Sequence, residues 1–158
     1  MIWVCRAGAS GKNYDYFINN QRIYLSWDGY QFDLSQYDDM SKAKEIVSQE
    51  KGTTNSTAVS TWATQIVNFV KLMSIGDYVM IPSQNSREYC LAIIDGAYQY
   101  LEEDPLYTHS RKIKIVKENI KRDIFPAKIA NTLGAFRTVF KAGKDEEIIE
   151  ILKNNNCL

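Results

Sequence analysis

Residues that commonly act in catalysis are scarce in this chain. His109 is its single histidine, so a zinc site built on two histidines is excluded. Its polar neighbours, Thr108 and Ser110, favour a surface or hydrogen-bonding role over that of a general base. No Gly-x-Ser-x-Gly motif supplies a serine nucleophile. The sequence therefore predicts no catalytic residue.

Two acidic runs could serve a metal-dependent nuclease if their spacing were right. Glu102–Asp104 is an acidic surface run, and Asp145–Glu147 opens a helix whose dipole favours anions at that end. Neither run contains the separated Asp and Glu-x-Lys arrangement that such a nuclease uses. We therefore predict a chain that is not an enzyme and that needs no metal and no cofactor.

The stretch from Gly8 to Lys12 resembles a phosphate-binding loop because it joins a predicted strand to a helix. A Walker loop places four residues before its Gly-Lys pair and a Ser or Thr after it. Only Ala9 and Ser10 separate Gly8 from Gly11, and Asn13 follows the lysine. The spacing predicts an ordinary turn, although glycine amides at such a position can still hold an anion.

Basic residues concentrate in one segment although the chain as a whole is neutral. Nineteen Lys and Arg balance nineteen Asp and Glu. Residues 111–128 contain seven basic side chains and only two acidic ones, Glu118 and Asp123. This excess indicates either contacts with a nucleic-acid backbone or a solvated strand face, and both readings stay open. The candidate backbone contacts are Arg111, Lys112, Lys114, Lys117, Lys121 and Arg122.

The aromatic residues also have two possible roles, as the wall of a ligand pocket or as part of the hydrophobic core. Trp27 ends an apolar strand and precedes Asp28-Gly29, a strand–loop junction where pockets form. Trp62 lies on an apolar helical stripe, and Tyr98 and Tyr100 share one face of a strand. Such rings can stack on a nucleobase or fill a core.

The pattern of apolar residues predicts the elements that position these side chains. The strands form a mostly β middle, with helices inserted early and at the end, which indicates an α+β domain with a mixed or closed sheet and not a regular βαβ array. Asn55 or Ser56 is placed to cap the helix that follows. The segment 133–142 fits either a strand or a helix. The predicted strands are 2–7, 22–28, 78–81, 89–94 and 111–117, and the predicted helices are 14–18, 40–49, 57–73 and 144–153.

The composition is that of one globular domain. The 158 residues are 45% hydrophobic and 24% charged. Three cysteines without Cys-x-x-Cys spacing favour free, buried thiols and a reducing compartment. The short apolar start predicts no signal peptide, and no stretch is long enough to span a membrane. We therefore expect a cytoplasmic protein with no membrane partner.

The middle segment, from Gly76 to Tyr100, predicts two core strands joined by a polar turn. The stretch 96–100 fits either the core or the wall of a pocket. The residues predicted to be plain core are Val79, Ile81, Cys90, Ala92 and Ile94.

Several motifs occur together in a fixed order along the chain. They are IWVCRAG, LSWDG, TWATQIVNFV before GDYVMIPS, GAYQY, HSRKIKI and LGAFRTVFKA. In this order the sequence resembles the N-terminal domain of Mrr-type restriction system proteins and, more broadly, the PUA/EVE/YTH-like group. The resemblance covers nearly the whole chain. It implies an α+β fold, a small mixed β-barrel with flanking helices, as a single domain over residues 1–158 with a helical insertion at about 39–50.

The resemblance also implies a function and a site. Relatives read a modified base that is flipped into an aromatic pocket, which frees the base edge for recognition. Here the implied partner is nucleic acid, DNA before RNA, in a restriction or phage-defence setting with a nuclease domain or subunit supplying cleavage. The alternatives are a sensor of a small nucleotide or metabolite in the same pocket, and a protein-interaction domain. The implied pocket residues are Arg6, Ala7, Trp27, Asp28, Ser60, Trp62, Ser83 and Gln84, with Tyr98 as a further candidate wall.

Overall fold

A seven-stranded sheet forms the centre of the molecule, and the computed structural model describes all residues 1–158. The strand order is β2-β6-β4-β3-β1-β7, and β5 pairs with the beginning of β6. The sheet is curled into a half barrel, so the predicted α+β class is confirmed. The strands are β1 Ile2–Cys5, β2 Arg22–Tyr24, β3 Tyr78–Pro82, β4 Glu88–Ile94, β5 Gln99–Tyr100, β6 His109–Lys121 and β7 Val139–Lys141.

Five α-helices flank the sheet, and local capping defines where the central pair begins. The Asp39 side chain accepts a hydrogen bond from the Lys42 amide, and the Asn55 side chain accepts one from the Ala58 amide. Asn55 is therefore the cap, one of the two residues that the sequence offered. None of the helices is long and apolar enough to cross a membrane. They are α1 Tyr14–Asn20, α2 Met40–Lys51, α3 Ser56–Val67 with a π-helical extension Asn68–Leu72, α4 Ala127–Leu133 and α5 Asp145–Asn154.

The sheet buries both of its faces around β3 and β4. One face packs against α1, α2 and α3 in a core of 27 buried residues, and the other packs against α4 and α5 in a core of 15. Alternate residues serve the two cores, so Val79 and Ile81 lie in the larger one and Met80 in the smaller. The residues predicted to be plain core, Val79, Ile81, Cys90, Ala92 and Ile94, are all fully buried.

The main differences between the predicted elements and the structure are at β2, β6 and β7. β2 ends at Tyr24 instead of Asp28, because the Trp27 amide bonds back to the Leu25 carbonyl at 2.9 Å and turns the chain. β6 extends beyond the predicted 111–117 at both ends, since it pairs in turn with β2, β5 and β4. Within the undecided segment 133–142, the structure has the short strand β7 antiparallel to β1.

One pair of strands is parallel, and this pair defines an edge of particular interest. β1 and β3 run in the same direction, with Trp3 opposite Val79, while the remaining pairs are antiparallel. The carboxyl ends of β1 and β3 therefore lie at the same edge of the sheet. Polar loops that follow parallel strands meet at such an edge, where ligands commonly bind in open sheets.

Candidate functional site

The loops that follow β1 and β3 come into direct contact. Gly11 has φ +72°, and a Cβ added to it would lie 2.5 Å from the carbonyl oxygen of Ser83. Only glycine allows this approach of the two backbones, because any side chain would both strain φ and strike the carbonyl. The turn that looked like a phosphate loop is thus packed against the turn after β3.

Three of the seven non-glycine residues with positive φ lie at this contact. Ser10, Asn85 and Ser86 have φ values of 54°, 60° and 53°, in the left-handed region that non-glycine residues avoid. For each of the two serines this costs about 1 kcal/mol, whereas asparagine adopts the region more readily. Strained backbone of this kind clusters at functional sites, because surrounding structure must hold it in place.

A third segment, residues 134–138 ahead of β7, completes the edge and is fixed from three sides. The Arg6 amide donates to the Thr138 carbonyl at 2.8 Å, and Arg6 Nη1 donates to the Ala135 carbonyl at 3.0 Å. The buried side chain of Gln65 accepts from the Thr138 and Val139 amides at 2.7 and 3.1 Å. This clamping holds Phe136 outward with 97% of its side chain exposed.

Two clefts lie on either side of Phe136. We call them the Arg137 cleft, of about 310 Å³, and the Arg122 cleft, of about 330 Å³. Arg6, Ser10 and Phe136 line both clefts, whereas Arg137 lines only the first and Arg122 only the second. No carboxylate lines either cleft.

The arginines at these clefts carry uncompensated charge. The ion pairs of the molecule join Met1 to Asp77 and Asp145, Lys42 to Asp39, and Lys121 to Glu88, so none involves an arginine. The Arg6 guanidinium lies 5.6 Å from the centre of the Phe136 ring.

A further cleft continues this basic surface. It has a volume of about 560 Å³ and is lined in part by Arg87, Lys121 and Arg122, with Asp123 as its one acidic residue. The edge of the sheet therefore presents a positive field to solvent.

A polar atom without a partner, the hydroxyl of Tyr89, is buried within electrostatic reach of Arg122 and Arg6. Tyr89 is fully buried against Phe125, at 5.8 Å between ring centres, and its hydroxyl makes no hydrogen bond within the chain. Burial raises the pKa of Tyr89, while the positive charges of Arg122 and Arg6 act in the opposite direction. The hydroxyl is thus a neutral group within electrostatic reach of both guanidinium groups.

The structure places Trp27 behind this edge and closes it off from solvent. Trp27 is 9% exposed, and its indole nitrogen donates to the Thr138 hydroxyl at 3.0 Å. Its ring packs against Trp62 at 4.5 Å and Tyr30 at 5.6 Å between ring centres, and the Lys51 ammonium covers Trp62 at 3.8 Å. Trp27 and Trp62 do come together in this ring contact, and neither lines the two clefts beside Phe136.

Other implied pocket residues are divided between the edge and the interior. Ser83 is half-buried, and its hydroxyl accepts from the Glu88 amide, while Gln84 beside it is exposed. Ala7 is fully buried and Asp28 is exposed. Ser60 lines a smaller cleft of about 230 Å³ together with Arg137.

Tyr98 lies apart from the other implied pocket residues. Its ring packs on Phe69 and His109, and its hydroxyl accepts from the Leu34 amide. The same hydroxyl contacts His109 Nδ1 at 2.7 Å. Since His109 Nε2 meets the Tyr30 carbonyl at 2.7 Å, that nitrogen carries the proton and Nδ1 accepts from Tyr98. His109 is buried and hydrogen-bonded rather than at the surface, and burial lowers its pKa.

The basic segment 111–122 divides into a buried residue and exposed ones. Arg111 is only 3% exposed, and its guanidinium donates to the carbonyls of Gly96, Phe69 and Met73. It is therefore not available to a phosphate, contrary to the prediction. The others are exposed: Lys112, Lys114 and Lys117 lie on β6, Lys121 pairs with Glu88 and Arg122 lines its cleft.

Sequence reasoning missed Phe136 and Arg137. The only local signal was an aromatic residue beside an arginine, directly after Gly134-Ala135 and outside any apolar repeat. No group of three or more His, Cys, Asp or Glu side chains is arranged to hold a metal ion.

Comparison with known families gives one match. The model of a domain of unknown function (DUF8426) matches residues 3–141. The matched region includes Arg6, Arg122, Phe136 and Arg137, and it ends before α5. A comparison with curated proteins finds no match.

Proposed function

The chain belongs to the family described as a domain of unknown function (DUF8426), and we propose that it is a non-catalytic module that binds nucleic acid at the two clefts beside Phe136. One observation carries the proposal. Arg6, Arg122 and Arg137, none with a carboxylate partner, surround a phenyl ring that is 97% exposed.

The chemistry of these groups matches that of a nucleotide chain. A guanidinium group binds phosphate oxygens through two parallel hydrogen bonds, and it is less strongly hydrated than an ammonium. A phenyl face stacks on any base. An inorganic anion would use the arginines but not the ring, whereas an apolar protein surface would use the ring but not three unpaired arginines.

The surrounding surface supports contacts beyond the clefts. Arg87 and Lys121 continue the positive edge from Arg122. Lys112 and Lys114 lie exposed on β6 and add to the sequence-independent attraction of a phosphate backbone. Preference for DNA over RNA and for a modified base is the finer part of this proposal. This finer part rests on the order of the sequence motifs alone. The aromatic rings that the resemblance implies for a base pocket, Trp27 and Trp62, pack against each other instead.

A sensor of a small nucleotide is the second candidate function. The size of the clefts favours it, since 310 to 330 Å³ lies at the lower end of the range for small-molecule sites. Both candidate functions use the same arginines, so arginine variants weaken binding in either case. The two functions are distinguished by whether a longer oligonucleotide binds more tightly than a mononucleotide.

Fluorescence anisotropy with labelled oligonucleotides tests the proposed function. The panel contains single-stranded and double-stranded DNA, RNA, and DNA with modified and plain bases. We expect Arg137→Ala and Arg122→Ala each to weaken binding by about tenfold and to lower the salt slope by about one. Lys44→Ala is the matched control, because Lys44 is exposed on α2 and outside every ion pair.

Two results would overturn the proposal. One is an absence of binding to every oligonucleotide at low salt, and the other is equal affinity for the arginine variants and the Lys44→Ala control. Tight binding of a free mononucleotide, with no gain from a longer chain, would establish the sensor instead.

A further inference from the structure

Phe136 stands as a partition between two cavities of nearly equal size. The Arg137 cleft and the Arg122 cleft differ by only about 20 Å³, and both include Arg6, Ser10 and Phe136 in their walls. Each has one arginine of its own. The surface therefore presents two similar cavities, each with its own arginine, and the Phe136 ring lies between them.

The exposure of Phe136 is built into the backbone around it. Arg6 bonds to the carbonyl of Ala135 on one side and to that of Thr138 on the other. These two contacts fix the short loop, so that the ring is held away from both cores. Arg6 approaches the ring without covering it, since the side chain stays 97% exposed.

We propose that Phe136 is a wedge that enters between two consecutive bases of a single strand, with one nucleotide in each cleft. The inference rests on the proposed function and specifies its ligand. Arg137 holds the phosphate of one nucleotide, Arg122 holds that of the other, and Arg6 contacts the sugar–phosphate link between them.

The dimensions of a nucleotide strand fit this arrangement. Stacked bases on one strand are about 3.4 Å apart, and an inserted aromatic ring of similar thickness opens that step to about 6.8 Å. Apolar side chains are known to enter base steps in this way. In a duplex the wedge must also break the stacking of the complementary strand, whereas a single strand opens at lower cost.

Single-stranded DNA of about eight nucleotides, with 2-aminopurine at one position, reports directly on the wedge. Stacked 2-aminopurine is quenched by its neighbours, so separation of the bases raises its fluorescence. We expect a several-fold rise with the wild-type protein and with Phe136→Trp. Phe136→Ala should abolish the rise and weaken binding by about tenfold, as expected for loss of base stacking. The ring contributes to neither core, so this variant keeps the fold.

Ligand length supplies a second measurement. A dinucleotide should bind much more tightly than a mononucleotide, and single-stranded DNA more tightly than the duplex of the same sequence. Equal binding of mononucleotide and dinucleotide would refute the wedge.

The failure of this inference is distinguishable from that of the proposed function. If Arg137→Ala weakens binding while Phe136→Ala neither weakens it nor changes the 2-aminopurine signal, the wedge is wrong and nucleic-acid binding stands. If no oligonucleotide binds the wild-type protein, the proposed function fails and the wedge fails with it.

Discussion

Arg111 offers the sharpest test of how this fold is held together. Its guanidinium donates to the Phe69 carbonyl at 3.3 Å and to the Met73 carbonyl at 2.7 Å, at the end of the π-helical extension of α3. It also donates to the Gly96 carbonyl at 3.0 Å. The last carbonyls of a helix have no partners within the helix, and a cation there is also favoured by the helix dipole.

The cost of removing this side chain follows from these contacts. Arg111→Met retains much of the apolar volume but leaves three carbonyls without their donor in a region that is nearly closed to water. Leaving a buried polar group unsatisfied costs about 1–3 kcal/mol, and the Gly96 carbonyl can recover part of this from solvent. We therefore expect the free energy of unfolding to fall by about 3–5 kcal/mol. Burial lowers the pKa of Arg111, so part of this stabilisation is offset by the desolvation of the charge.

Urea unfolding followed by circular dichroism measures this loss. Lys112→Met is the matched control, because the neighbouring Lys112 is exposed and makes no ion pair. A surface change of this kind is expected to stay within about 0.5 kcal/mol of the wild type.

The opposite pattern would refute the reasoning. If Arg111→Met unfolded at the wild-type urea concentration and instead lost affinity for DNA, Arg111 would be a surface ligand of phosphate. The buried position that the structure gives it would then be incorrect.

Two further predictions concern the loop contact and the buried histidine. Gly11→Ala should lower the free energy of unfolding by about 2–3 kcal/mol, because its Cβ would strike the Ser83 carbonyl. The control Gly52→Ala, at a glycine with a similar φ and open space around it, should cost only about 1 kcal/mol. Equal costs of the two variants in thermal unfolding would argue against the contact. The pKa of His109 is lowered below its ordinary 6.5, so the unfolded chain takes up a proton first as the pH falls. Stability from this group is therefore complete above about pH 6.5 and declines below it. Urea midpoints between pH 7.5 and 5.5 should shift less in His109→Gln, and an unchanged pH dependence in that variant would contradict this assignment.

The elements that depend on near neighbours in the chain were predictable. The β3–β4 core follows from apolar residues on adjacent strands, and the start of α3 follows from Asn55, whose side chain reaches an amide three residues away. The alternation along β6 also places Arg111 on the same face as the buried Ile113, although its positive charge favoured an exposed position. Charge alone was a poor guide, because a guanidinium can be buried once carbonyls surround it.

The candidate site could not be predicted because its residues are distant in sequence. Arg6 and Phe136 meet only because β7 returns to pair with β1, and Arg122 joins them from the end of β6. The position of Trp27 at a strand–loop junction did not reveal that Trp62 would close over it.

The sequence by itself determined four of the five helices, without α4, and the core strands β3 and β4. Its single histidine also excludes a zinc site built on two histidines. The tertiary structure decided which cations remain unpaired and which aromatic rings reach solvent. The physical reason is range: backbone propensity and capping act over a few residues, whereas burial and charge compensation depend on every segment that the fold brings near.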